Sequence, residues 1–156
     1  MIEESITSVI NKINLILSKI EADDFKEIKE LKIPEQRGIY LIKEKGKEHM
    51  FYIGSANKRT LDKRLKNHLQ GSLKNSIVRK KLVEKWEKRK LKKNELEFYN
   101  NKYKDNLNEY LQNNCVFIFE DINDFDEVLA IEHLLILYYR KVLRKKGLEL
   151  LNDYKE

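Results

Sequence analysis

The chain has 156 residues, enough for one domain with its own core. Hydrophobic residues at 41% exclude a disordered composition, and a single cysteine, Cys115, excludes an internal disulfide framework. A formal net charge of +6 with 37% charged residues fits an acidic partner such as nucleic acid, and fits equally a lysine-rich surface that serves solubility. No stretch approaches the roughly 18 apolar residues of a membrane span. The start Met1-Ile2-Glu3-Glu4 is acidic where a secretory leader is basic, so an intracellular, cytoplasmic location is expected.

In chain order, residues 2 to 20 read as an amphipathic helix. Ile2, Ile6, Val9, Ile13, Ile16 and Ile20 alternate steps of four and three, and Ile10 and Leu17 widen the stripe. Such a stripe must be covered. Packing on the chain's own core, continued by Phe25 and Ile28, predicts a monomer; a coiled-coil seam with another chain is the alternative. Pro34, the only proline, closes this N-terminal region at about residue 33. Residues 38 to 43 and 50 to 54 are β-like runs joined by a polar loop containing Gly46, a hairpin signal. Alternation puts Ile39, Leu41, Phe51 and Ile53 on one face and Tyr40, Ile42, Met50 and Tyr52 on the other.

Residues 60 to 70 read as a helix with Leu61, Leu65 and Leu69 on one face, and residues 76 to 91 as a second, basic helix. Residues 92 to 114 are polar and asparagine-rich and read as an insertion with some helix. Cys115 to Phe119 is continuously apolar, which predicts a central strand. Residues 124 to 146 form the last helix, acidic at its start and followed by Gly147. The whole predicts an α+β fold: a small, mostly antiparallel three-stranded sheet flanked by helices, with an added N-terminal helix.

Two groups of residues stand out. Wound at about 100° per residue, the last helix places Glu132 within about 60° of Val128, Leu135, Ile136 and Leu143, in the middle of the apolar face. A buried carboxylate costs several kcal/mol (roughly) unless paired, protonated or metal-bound. A plain ion pair is the structural alternative. Arg64 and His68 lie one turn apart and flank the leucine stripe of their helix, at the border between core and solvent. An exposed basic face is the alternative there.

Gly38-Ile39-Tyr40 and Tyr52-Ile53-Gly54 resemble the paired signature of GIY-YIG nucleases. Ser55-Ala56 after the second element, Arg64 with His68 one turn later, Glu132 in an apolar helix and Asn152 near the end continue the resemblance in order, over about residues 35 to 153. It departs in three places, one being that Arg64 lies slightly farther from Tyr52 than in the tightest family patterns. Ser55 stands where some members carry lysine, and Lys74-Asn75-Ser76 where some carry a second histidine.

The resemblance implies an endonuclease that hydrolyses DNA phosphodiester bonds with one divalent ion, Mg²⁺ or alternatively Mn²⁺, held by Glu132. A hard cation takes oxygen ligands and keeps waters, so one carboxylate suffices. Tyr40, Tyr52, Arg64, His68, Glu132 and Asn152 are then the site residues. Arg64 would neutralise phosphoryl oxygens. Tyr40 would activate the water with Tyr52 as its partner, and the reverse assignment stays open. Nearby positive charge is expected to lower the phenol pKa. Lys63, Lys66, Lys74, Arg79, Lys80, Lys81, Lys88 and Arg89 are the candidate DNA contacts, with a solvated helix face as the alternative. Two other functions remain open: a DNA-binding module that does not cut, and a subunit of a larger DNA-processing assembly.

Overall fold

The computed structural model describes residues 1–153. The first helix, α1, is Ile2–Glu21. A hairpin follows, β1 (Gly38–Glu44) and β2 (Met50–Ala56), and then helices α2 (Leu61–Gln70), α3 (Ile77–Glu87) and α4 (Leu96–Asn113). The third strand, β3 (Cys115–Asp121), leads into α5 (Phe125–Arg144), and Leu151–Asp153 forms a closing 3-10 turn. Among the described residues no helix is long and apolar enough to cross a membrane.

The sheet is antiparallel throughout, in the order β2-β1-β3. The sequence put β3 at the centre, and the structure puts β1 there. Continuous apolarity of Cys115–Ile118 arises instead because helices cover both faces of an edge strand. On one face Tyr40, Ile42, Tyr52 and Phe117 pack with Leu61, Leu65 and Leu69 of α2, and with α3 and α4. On the other Ile39, Leu41, Ile53 and Ile118 pack with Ile16 of α1 and with Val128, Ile131 and Leu135 of α5.

The hairpin alternation holds as far as Tyr52 and then inverts. Ile42 pairs with Tyr52, but Lys43 pairs with Met50, so Phe51 is an extra residue in β2. A bulge of this kind moves everything beyond it to the opposite face. Met50 therefore joins the Ile39 and Leu41 side, and Phe51 packs on the Tyr40 side.

Residues 92 to 114, read as a polar segment with some helix, are mostly helical and packed on the core. Their aromatic and leucine positions build the 18-residue α4, whose Leu107 and Leu111 are fully buried in the core. α1 packs on the chain itself: Ile16 is buried, and Val9, Ile13, Leu17, Ile20 and Phe25 join it against α5 and the sheet. Ion pairs Lys12–Glu127 and Lys19–Glu120 fix its register. Ile28 continues the contact on the other face.

Candidate active site

The signature glycines are there for space. Tyr40 lies opposite Gly54 in the β1–β2 ladder, and its phenol occupies the volume that a Cβ on Gly54 would need. Gly38 likewise lies against the Glu120 carbonyl and Leu61, with no room for a side chain. The absence of a side chain at Gly54 leaves room for the Tyr40 ring beside Tyr52, centroids 6.1 Å apart and planes at 27°.

Both tyrosines border a cavity of 570 Å³ with Ser55, Arg64 and Glu132. Tyr40 and Tyr52 come from the α2 side of the sheet, while Glu132 comes from α5 on the other side. They meet because β2 is an edge strand, and the cavity opens where the two helical layers pass its end. The Ser55 hydroxyl donates to Oε2 of Glu132. Glu132 is half-buried beside the Val128, Ile131 and Leu135 stripe rather than at the centre of the buried face. Of the apolar face read from the sequence, Val128, Leu135 and Leu143 are buried, but Ile136 is only half-buried, so Glu132 lies nearer its edge. Glu132 is the one carboxylate bordering the cavity among the described residues.

Arg64 is half-buried, its guanidinium within hydrogen-bonding reach of the Tyr40 phenol. Its Nε is buried without a partner, a donor left for a bound oxygen. His68 is not at the border with solvent. It is 1% exposed, with Nε2 2.6 Å from the Tyr40 oxygen and Nδ1 2.6 Å from Oγ of Ser76. Burial, with Arg64 and Arg79 nearby, lowers its pKa to about 3, so it is neutral at any physiological pH. Burial also dominates the tyrosines. It holds the Tyr40 phenol well above the usual value, and the Tyr52 phenol above it, although Arg64 pulls both down. The expectation of a net lowering is corrected: Arg64 opposes desolvation without overcoming it.

Asn152 reaches none of these groups. Its amide bonds to the backbone of Ile53 instead, which makes it a positioning residue for β2. Arg79 is not a DNA contact. It is fully buried, with Nη1 3.1 Å from the carbonyl oxygens of His68 and Leu69 and 2.9 Å from Oδ1 of Asn108. It closes the C-terminal end of α2, where helix carbonyls lack partners. Several other sequence candidates have local partners as well. Arg89 pairs with Glu95 and donates to Tyr99, Lys80 lies 3.6 Å from Glu84, and Lys81 donates to the Asn152 carbonyl. Lys66, Lys74 and Lys88 are exposed. Lys63 borders a groove that shares Lys58 and Arg59 with the main cavity and adds Arg37. Sequence reasoning missed Lys58 and Arg59, although they directly follow the second signature element. Both are exposed, and neither forms an ion pair among the described residues.

The family model of the GIY-YIG catalytic domain matches residues 12–150. The chain belongs to the GIY-YIG catalytic domain family. No curated protein and no solved structure matches it. The match starts within α1, so the GIY-YIG domain extends further toward the N-terminus than residue 35. The second half of the helix read as an added extension lies inside it. Asn152 lies just past its end.

Proposed function

We propose that this GIY-YIG domain is a divalent-metal-dependent endonuclease that hydrolyses DNA phosphodiester bonds with a tyrosine-activated water. The convergence of Tyr40, Tyr52, Arg64 and Glu132 on one cavity, from both sides of the sheet, carries this reading. A domain that only bound DNA would need cationic contacts and no half-buried carboxylate facing the substrate.

The donor set fits a hard cation. The Glu132 carboxylate, with the Ser55 hydroxyl beside it and open volume for water and phosphate oxygens, suits Mg²⁺ or Mn²⁺. When bound, such an ion supplies positive charge to the phosphoryl and leaving oxygens. Arg64 directs its buried Nε and the rest of its guanidinium at the same phosphate. The Tyr40 oxygen takes the proton of the attacking water. Reaching its phenolate costs more than about 4 kcal/mol at pH 7, and the Arg64 charge reduces that cost. Tyr40 is the better base because His68 Nε2 lies 2.6 Å from its oxygen and the Arg64 charge acts on it. Lys58, Arg59 and Lys63 bind flanking phosphates. The protein works as an intracellular monomer, Val9, Ile13, Ile16, Leu17 and Ile20 of the α1 stripe packing on its own domain while Ile2, Ile6 and Ile10 stay exposed.

Incubation of the purified protein with plasmid DNA tests the reading. Mg²⁺ should give nicked or linear product, and EDTA or Glu132→Gln should abolish it while the fold survives. Cleavage by Glu132→Gln within about tenfold of wild type defeats the assignment of Glu132, since loss of such electrostatic groups costs far more. DNA retention without any cleavage in Mg²⁺ or Mn²⁺ leaves a binding module.

A further inference from the structure

The His68 ring is held at both nitrogens by hydroxyl groups, from Tyr40 on one side and Ser76 on the other. A neutral imidazole has one donor and one acceptor, and a hydroxyl has one proton to give and two lone pairs. The two possible tautomers therefore give the Tyr40 oxygen opposite roles. With the proton on Nδ1, His68 would accept the Tyr40 proton and act as a base toward it. With the proton on Nε2, His68 would donate to the Tyr40 oxygen and favour negative charge on it.

Ser76 decides between them. It is the N-cap of α3, and its Oγ accepts the backbone N–H of Arg79 at 3.2 Å. It is 1% exposed, and His68 and Arg79 are the only partners its Oγ has among the described residues. If Nδ1 carried the proton, Ser76 would accept twice, and its own hydroxyl proton would be buried without an acceptor, which is costly. If Nε2 carries it, Ser76 accepts from Arg79 and donates to Nδ1, and the one proton left over is that of Tyr40, which borders the open cavity.

We propose that Ser76 is a positioning residue that fixes His68 in the Nε2–H tautomer, so that His68 donates a hydrogen bond to the Tyr40 oxygen. The Tyr40 oxygen then accepts from His68, leaving its own proton to point into the cavity that Tyr40 borders with Arg64. A phenolate forming there meets a donor already in place and no reorganisation is needed. His68 takes no proton in the reaction. This rests on Tyr40 being the base for its mechanistic meaning, but the tautomer itself does not depend on catalysis.

Long-range ¹H–¹⁵N correlation spectra of the imidazole in the full-length ¹⁵N-labelled protein test it. The expected result is protonated Nε2 and bare Nδ1 in His68, favoured about tenfold or more. Ser76→Asp keeps the N-cap but offers only acceptor oxygens to Nδ1. The proton should move to Nδ1, with a fall in single-turnover rate and little change in DNA affinity. Nδ1–H or an even mixture in the wild-type protein overturns the proposal, and so does an unchanged tautomer in folded Ser76→Asp. If Ser76→Asp does not fold, the wild-type spectrum alone decides. Nε2–H in a protein that never cuts DNA would defeat the nuclease reading and leave this one standing.

Discussion

Asn152 bonds to both backbone groups of Ile53. Its Nδ2 donates to the Ile53 carbonyl at 2.6 Å, and its Oδ1 accepts the Ile53 N–H at 3.0 Å. β2 is an edge strand, so these groups would otherwise face outward unpaired. One side-chain amide thus does the work of a neighbouring strand between Tyr52 and Gly54.

Asn152→Ala should destabilise the protein by about 1–3 kcal/mol, the usual cost of leaving buried polar groups without partners. Urea unfolding measures this. Loss of activity at 37 °C with recovery at low temperature marks a positioning role; loss at every temperature with an unchanged melt would make Asn152 part of the chemistry.

Arg64→Ala should cost two or more orders of magnitude in single-turnover rate at saturating DNA, roughly the loss of a transition-state charge partner. The half-buried guanidinium sits at the cavity wall, so the fold should persist by circular dichroism.

Tyr40→Phe should slow the chemical step far more than it weakens DNA binding. A comparison of single-turnover rates with equilibrium binding separates the two. If Tyr52→Phe proves the more damaging change, the roles of the two tyrosines are exchanged.

Basic residues should divide into two groups. Arg79→Ala removes a buried cation that holds the end of α2, and should destabilise by about 1–3 kcal/mol, the cost of acceptors left without a donor. Lys58→Ala with Arg59→Ala should leave the melt within about 0.5 kcal/mol of wild type. It should flatten the salt dependence of DNA affinity by about two in the log–log slope, one for each lost phosphate contact. Unchanged affinity and slope would place the DNA elsewhere.

His68 predicts a pH dependence of stability. Its pKa is about 3 in the fold against 6.5 unperturbed. Below pH 6.5 the unfolded chain binds a proton that the native state refuses, so stability falls as pH falls toward 3. Between pH 7 and pH 5 the expected loss is about 2 kcal/mol. Urea titrations at the two pH values measure it, and His68→Gln should remove most of the difference.

Much of this was legible in the sequence because periodicity and signature reinforce each other. The spacing put Tyr40 and Tyr52 on one strand face and Arg64 beside the leucine stripe of its helix, and these three do border one cavity, whereas His68 is buried behind them. What escaped follows from tertiary context. Residues 92 to 114 look like a polar insertion because only Leu107 and Leu111 are fully buried in α4. Nothing local distinguishes Arg79, inside the core, from its neighbour Lys80 on the surface. The Phe51 bulge shows only in the pairing of β1 with β2, and Ser76 gains its role from a histidine eight residues away.

The two outer strands carry different seals. The Asn152 amide occupies the free side of β2 at Ile53, and on β3 the backbone of Lys26 exchanges both hydrogen bonds with Phe117, N–H to carbonyl in each direction. Neither margin offers an open ladder at those positions. An extended peptide, or a like strand from another copy during crowded synthesis, finds no place to add there without first displacing a chain segment already bonded. A sheet of only three strands is thereby kept from growing.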